Sequence, residues 1–153
     1  MRRLVRSYAS ATRAQRLQRA MVLDEAGGGP ETLVPRQVPE PEPTAENPVL
    51  VRVAACAVAY RDTLDRRGAF PFIKCPAILG HEFVGVCESA PPGHEALVGK
   101  RVVGDINLVC GDATACFTCG CGGARARNHC PTRTVLGIVS KDGTYQARLT
   151  PTL

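Results

Sequence analysis

Residues 80–86 read GHEFVGV, in which a glycine and two ionisable residues run directly into a β-branched segment. Upstream, residues 49–56 read VLVRVAAC, which is rich in valine and long enough to cross a protein core. Downstream, residues 98–103 read VGKRVV, a turn that leads into a further strand. These segments predict a domain whose core is built from strands.

The rest of the chain predicts short strands and many turns, since 15 glycines and 12 prolines interrupt it. The further predicted elements are a first strand at 20–24, an extended proline-rich connection at 38–48, a short helix at 60–67 stopped by Gly68, and strands at 135–139 and 144–149 joined by a turn at 141–143. Together they predict a mainly β fold with one short helix, most economically closed as a barrel.

The charge of the chain is concentrated at its N-terminus. Six of the 19 lysines and arginines fall in residues 1–20, which contain no acidic residue, so the remainder carries 13 basic against 14 acidic residues. This near-neutral body does not indicate nucleic-acid binding. No segment reaches the roughly 20 continuous apolar residues of a membrane span.

Residues 1–20 are rich in arginine, serine and alanine, as mitochondrial presequences are, and Arg6-Ser7-Tyr8 resembles the approach to a matrix-processing site. We therefore predict a presequence at 1–20 and a domain at 21–153, located in the mitochondrial matrix, with the cytoplasm as the alternative. A basic arm, or translation that starts at Met21, would also explain the composition.

Five of the eight cysteines lie between residues 110 and 130, where apolar periodicity is absent. Such clustering indicates metal binding rather than secreted disulfides. Four thiolates would close a tetrahedral zinc site, and binding energy of roughly 10 kcal/mol or more could order a loop without a core. The alternatives are a metal-free loop and a redox disulfide between Cys116 and Cys119.

Residues 50–67, 80–86, 98–103 and the segment DGTYQA at 142–147 resemble the zinc-containing alcohol dehydrogenases of the medium-chain dehydrogenase/reductase family. The resemblance implies a GroES-like barrel that docks against an NAD(P)-binding Rossmann domain. The 153 residues contain no G-x-G-x-x-G that opens a helix after a strand, so we expect no Rossmann domain in them and no nicotinamide binding by them alone.

The family's cysteine lobe has the spacing C-x2-C-x2-C-x7-C. The resemblance therefore implies a structural zinc held by Cys110, Cys116, Cys119 and Cys130, with the outer gaps longer than in the family and Cys121 as a possible substitute ligand. His129 borders this lobe as a bystander, and His94 is expected to be exposed.

The resemblance places the family's catalytic motif on Asp62, His81 and Glu82, with Asp62 as the partner that orients His81. However, Ala59 stands where the family has its first catalytic-zinc cysteine, and Arg61 stands where it has the hydroxyl that relays the alcohol proton. Cys56, three residues earlier, is expected to be a small buried residue. We therefore expect that the catalytic zinc is lost.

Three functions are compatible with these residues. The first is the front part of an oxidoreductase, and the second is a non-catalytic zinc-binding subunit of a mitochondrial assembly. The third is a zinc-independent relative of the quinone reductases, but the GHE motif and the cysteine lobe argue against it. In the first two we expect an apolar face that binds a Rossmann-type domain, another subunit or a second copy. We expect no turnover by these residues alone.

Overall fold

The structure is a computed structural model that describes residues 16–45, 47–109 and 130–151. The strands are β1 (Leu17–Leu23), β2 (Leu33–Pro39), β3 (Leu50–Cys56), β4 (Ala77–Ile78), β5 (Phe83–Ser89), β6 (Arg101–Val103), β7 (Asn107–Leu108), β8 (Thr134–Leu136), β9 (Ser140–Lys141) and β10 (Arg148–Leu149). One helix, α1 (Tyr60–Arg66), and two 3-10 turns, Pro30–Thr32 and Glu95–Leu97, complete the described elements. The prediction of a mainly β fold with a short helix is confirmed.

The strands form three sheets, with the orders β2-β1-β4, β10-β3-β5-β6 and β7-β8-β9. The central pair is β3 with β5, antiparallel along its length and interrupted by two register shifts. Among the described strands these sheets do not join into one closed barrel. All the pairings are antiparallel except that of β8 with β9.

Two apolar clusters form the core. The larger joins β3 to β5 and to the later short strands, and consists of Val49, Val51, Phe83, Cys87, Leu108, Leu136 and Leu149. The smaller lies on the first sheet and consists of Ala20, Val22, Val38 and Ile78, with Tyr145 packed against it. Strand β5 alternates buried and half-buried residues, as a strand with one core-facing side does. The segment that carries His81 is therefore placed directly before a core strand.

The strands predicted from residues 49–56 and 83–87 are present as β3 and β5, but other predictions were wrong. The first strand starts at Leu17 instead of residue 20. Strand β2 includes residues 33–37, to which no element was assigned, and the first two residues of the predicted connection. The predicted hairpin of 135–139 with 144–149 does not form: β8 pairs with β7 and β9, while β10 pairs with β3. Strands β7 and β10 pair instead with strands that are distant in the sequence.

Within the described residues, no helix is long and apolar enough to cross a bilayer.

Candidate functional site

The site begins at the N-terminus of α1. Ala59 lies in extended backbone just before the helix, and its amide donates a 2.8 Å hydrogen bond to Oδ2 of Asp62. A carboxylate three residues into a helix satisfies one of the backbone donors that the helix start leaves unpaired. Local sequence therefore fixes the position of Asp62.

Asp62 is 4% exposed and accepts two further hydrogen bonds from distant parts of the chain. The amide of Gly80 donates to Oδ1 at 3.2 Å, and the hydroxyl of Tyr145 donates to Oδ2 at 2.9 Å. Burial and the neighbouring Asp62 carboxylate raise the pKa of Tyr145, because both disfavour a phenolate. Asp62 thus connects α1, the GHE segment and the segment before β10.

His81 is 9% exposed, and its Nδ1 lies 3.4 Å from Oδ1 of Asp62. The geometry is not that of a hydrogen bond, and among the described residues no group forms one with Nδ1. A buried ring nitrogen without a hydrogen bond costs free energy. Of the residues around Asp62, His81 would therefore gain most from a hydrogen bond to a ligand. The predicted pairing of Asp62 with His81 is present as a contact.

Glu82 stands apart from this pair. Its side chain is exposed, whereas His81 and Phe83 on either side are buried. Its backbone carbonyl accepts a hydrogen bond from the amide of Ala57 at 3.2 Å. The structure therefore brings the side chains of two of the three predicted catalytic residues together, those of Asp62 and His81. The third, Glu82, contacts the residue after β3 through its backbone only.

Close backbone packing holds the loop that carries His81. The Gly80 carbonyl accepts a 3.0 Å hydrogen bond from the amide of Thr144. Gly137, with φ of +68°, lies so near that a Cβ there would collide with the same carbonyl oxygen. Glycine is required at 137 for both reasons. The backbone of the preceding residue, Gly80, is therefore held in place, and it limits where His81 can lie.

The residues described here do not fit the family's catalytic zinc. Ala59 offers the site only its backbone, and no group of three or more His, Cys, Asp or Glu side chains within the described ranges could hold a metal ion. Cys56, expected to be buried, is exposed on β3 because the end of that strand has left the core. Three ligands are the minimum for a catalytic zinc site in proteins of this kind.

Arg61 is engaged elsewhere. Its Nε donates to Oδ2 of the fully buried Asp65 at 2.8 Å, and its guanidinium lies 4.1 Å from the centre of the Phe70 ring. These contacts are an ion pair one helical turn along and a cation–π interaction. Arg61 therefore fixes α1 to the following loop instead of offering a neutral hydroxyl.

The predicted zinc ligands Cys110, Cys116, Cys119 and Cys121, together with His129, lie outside the described residues. Cys130 is described: it is buried, and its Sγ lies 3.4 Å from the hydroxyl of Thr132. It stands four residues before β8. His94 is exposed, as expected.

A groove of about 700 Å³ opens beside Asp62, between β1, β3 and α1. Most of its lining is apolar, including Met21, Val53 and Val58, while Asp62 and Tyr145 supply polar atoms. Val58 and the neighbouring Tyr60 are 78% and 74% exposed. Volume and lining are in the range of ligand or partner sites.

These features are those of a GroES-like catalytic-type domain. The chain belongs to the alcohol dehydrogenase GroES-like domain family, whose model matches residues 45–151.

Among its relatives, the starvation-sensing protein RspB of Escherichia coli K12 is 34% identical over 120 residues, which are 78% of this chain and 33% of RspB. A cobalt- and zinc-bound alcohol dehydrogenase of Pyrobaculum aerophilum superposes with a TM-score of 0.70 at 28% identity, over 90% of this chain and 40% of that one. An alcohol dehydrogenase (rspB) of E. coli CFT073, complexed with NADH, gives 0.66 at 28% identity, over 87% and 35%. This chain therefore spans about a third of the length of such relatives.

Sequence reasoning missed the part played by Tyr145. The residue lies within DGTYQA, the last segment of the family resemblance, yet its partner Asp62 is 83 positions away. The one feature of the sequence that could have indicated a role for Tyr145 is that it is aromatic and carries a hydroxyl, in a segment of otherwise small and polar side chains. Without the fold, nothing in the sequence connects that hydroxyl to Asp62.

Proposed function

We propose that this chain is the N-terminal, catalytic-type domain of a zinc-type alcohol dehydrogenase-like oxidoreductase, and that it binds one structural zinc ion. The ligands are Cys110, Cys116, Cys119 and Cys130, with Cys121 as the substitute. The 153 residues alone do not catalyse hydride transfer.

The Asp62–His81 pair next to Ala59 is the observation that carries this proposal. Family membership supports the oxidoreductase class. The sequence resemblance assigns the family's catalytic motif to this buried pair, whose side chains lie 3.4 Å apart. An alanine beside that pair removes the thiolate that a zinc ion would need, since a methyl group has no lone pair. In this proposal the Asp62–His81 pair is kept, while the ligands that would bind the catalytic zinc are not.

A nicotinamide would have to be held by another domain. When bound, NAD(P) supplies the hydride acceptor or donor, and the protein's task is to orient the substrate against it. In the described residues the apolar groove is suited to enclosing an aliphatic portion of a substrate or a partner surface. Asp62 holds the loop of His81 and the hydroxyl of Tyr145 at its margin.

A non-catalytic role is the second candidate. Two observations favour it: Ala59 contributes a backbone donor in place of a ligand, and Arg61 is committed to Asp65 and Phe70. In that role the zinc-binding domain is an accessory subunit of a mitochondrial assembly, and its apolar groove binds a Rossmann-type domain, another subunit or a second copy. We propose the mitochondrial matrix as its location and the cytoplasm as the alternative.

Native mass spectrometry of residues 1–153, combined with an assay of NADH and NADPH oxidation, tests the proposal. One zinc ion per chain and no turnover are expected. Two zinc ions per chain, or turnover by the chain alone, would overturn the account of position 59. Absence of zinc would overturn the cysteine lobe.

The size of the protein in cells separates the two candidate roles. An accessory subunit predicts an immunoblot band no larger than the 16.3 kDa of these residues. The front part of an oxidoreductase predicts a band roughly 2.4 times as large, because the 120 matched residues are 33% of RspB, whose length is therefore about 364 residues against 153 here.

A further inference from the structure

Residues 17–20 lie in the region predicted as a presequence, yet they form the first half of β1. Strand β1 pairs with β2 along all seven residues, from Leu17 opposite Pro39 to Leu23 opposite Leu33. It is the central strand of its sheet, since β4 pairs on its other side at Val22 and Leu23. Removing residues 17–20 would therefore break a central strand.

The other edge of this half-strand is bound to the segment before β10. The amide of Ala147 donates to the Arg19 carbonyl at 3.2 Å, and the amide of Met21 donates to the Tyr145 carbonyl at 2.8 Å. Ala20 forms the bridge between them, opposite Gln146. The backbone on both sides of the Arg19–Ala20 peptide bond is thus hydrogen-bonded on both edges.

Gln18 extends this pairing with its side chain. It is 4% exposed; its Oε1 accepts from the amide of Arg148 at 2.7 Å, and its Nε2 donates to the Arg148 carbonyl at 3.1 Å. Nε2 also donates to Oε1 of Gln146 at 2.8 Å. The side-chain amide of Gln18 thus pairs with the Arg148 backbone as a neighbouring strand would. Exposing or replacing a buried amide with three hydrogen bonds costs free energy. A chain that began at Met21 would lack it.

We infer that any proteolytic maturation of the arginine-rich N-terminus ends before Leu17, because residues 17–20 belong to the folded domain and Gln18 holds them there. This limit lies upstream of the boundary at residue 20 that composition predicted.

Limited digestion of the full chain with an arginine-specific protease tests this inference. Arg13, Arg16 and Arg19 offer the same chemistry at three positions, so only the fold distinguishes them. Cleavage after Arg13 is expected to leave a product that starts at Ala14. Cleavage after Arg16, just before β1, is expected to be slower, because the Arg16 carbonyl accepts a 2.8 Å hydrogen bond from the amide of Glu40. The Arg19–Ala20 bond is expected to be cut at least about tenfold more slowly, since cleavage needs β1 to open. Equal rates after Arg13 and Arg19 would overturn the inference.

Two variants test the part of Gln18. Gln18→Leu removes all three bonds and is expected to speed cleavage after Arg19, while Gln146→Leu removes one of them and gives a smaller increase. An unchanged rate in Gln18→Leu would overturn the role of Gln18. If Gln18→Leu does not unfold cooperatively and so is not folded, the rate of cleavage after Arg19 in Gln146→Leu is used instead. A faster rate supports the role of Gln18, and an unchanged rate overturns it.

The N-terminal peptide of the protein isolated from cells gives the direct measurement. An N-terminus at residue 17 or earlier supports the inference. A folded protein that begins at Ala20, Met21 or later contradicts it.

Discussion

The hydroxyl of Tyr145 donates a 2.9 Å hydrogen bond to Oδ2 of Asp62, although the two residues are 83 positions apart. Asp62 is buried and already bonded to the amides of Ala59 and Gly80. Tyr145 therefore supplies a third hydrogen-bond donor to a carboxyl group that has little access to water. This contact ties the segment before β10 to the segment of His81.

Tyr145→Phe is expected to lower the free energy of unfolding by about 1.5–3 kcal/mol, because a hydrogen bond to a buried charged group is lost while the ring packing is kept. Urea denaturation measures the change. Tyr60→Phe is the matched control, since Tyr60 is exposed, and it should leave the midpoint unchanged. Equal effects of the two substitutions would contradict the proposed role of the contact.

The same contact predicts a pH dependence at the alkaline end. The pKa of Tyr145 is raised in the folded protein, first by burial and then by Asp62, so the unfolded chain loses this proton at a lower pH. The stabilisation is complete below the ordinary tyrosine pKa of about 10 and is lost as pH rises above it. Unfolding measured at pH 9 and pH 11 should show a smaller loss of stability in Tyr145→Phe than in the wild type. An identical loss in both proteins would contradict this.

Cys130→Ser should abolish zinc binding and lower the melting temperature, because a hydroxyl does not replace a thiolate in a four-thiolate site. The zinc content measured by native mass spectrometry should fall from one ion per chain to none. Cys56→Ser is the control: this thiol is exposed on β3, and its loss should leave the zinc in place.

Cys121→Ser tests the assignment within the lobe. Retention of zinc there, with loss in Cys130→Ser, supports the four proposed ligands. Loss in Cys121→Ser with retention in Cys110→Ser would show that Cys121 is the ligand.

Ala59→Cys is expected to add one further cobalt ion per chain, because a thiolate three residues before Asp62, together with the Asp62 carboxylate and the His81 imidazole, supplies three potential ligands. Sulfur-to-cobalt charge-transfer absorption and metal content measure the gain. Ala59→Ser should add none, and a second change, His81→Ala, should remove the added ion. Failure of Ala59→Cys to bind more cobalt than the wild type would show that one thiolate does not restore the site.

Gly137→Ala should lower stability by several kcal/mol, since it combines left-handed backbone with a collision at the Gly80 carbonyl. Gly93→Ala is the control, because Gly93 has φ of +88° but open space around its Cα. Only the backbone term of about 1–2 kcal/mol remains there. Comparable melting temperatures for the two variants would show that the packing at Gly80 is unimportant.

Local pattern predicted the elements that have strong local causes. Residues 49–56 and 83–87 are rich in valine and form most of β3 and β5. The helix after Ala59 ends at Arg66, two residues before Gly68 adopts a left-handed backbone. Strand β2 was missed because it contains Pro35 and Pro39, which the sheet accepts only because β2 is an edge strand. Whether a strand lies at an edge is a property of the assembled sheet.

The first strand shows how hydrophobicity can mislead. In β1 the apolar Leu17 is exposed and the polar Gln18 is buried, so the apolar pattern starts later than the strand does. The side chain of Gln18 is buried because its amide finds the backbone of Arg148, 130 positions away. The predicted hairpin after residue 134 failed for a related reason, since β10 pairs with β3 from the first third of the chain.

The site was predicted in part. The family resemblance implied that Asp62 is the partner of His81, and the two are in contact. The exposure of Cys56 and Glu82, the engagement of Arg61 by Phe70 and the hydroxyl of Tyr145 depend on how separate segments pack together. A linear sequence contains no local signal for such contacts.

Two of the three donors that hold Asp62 are peptide amides, those of Ala59 and Gly80. Every residue except proline carries that hydrogen, so exchanging the side chain at position 59 leaves the anchor intact. A metal-binding residue can thus disappear from this corner of the molecule while its architecture endures, and a designer could reintroduce one without rebuilding the surroundings.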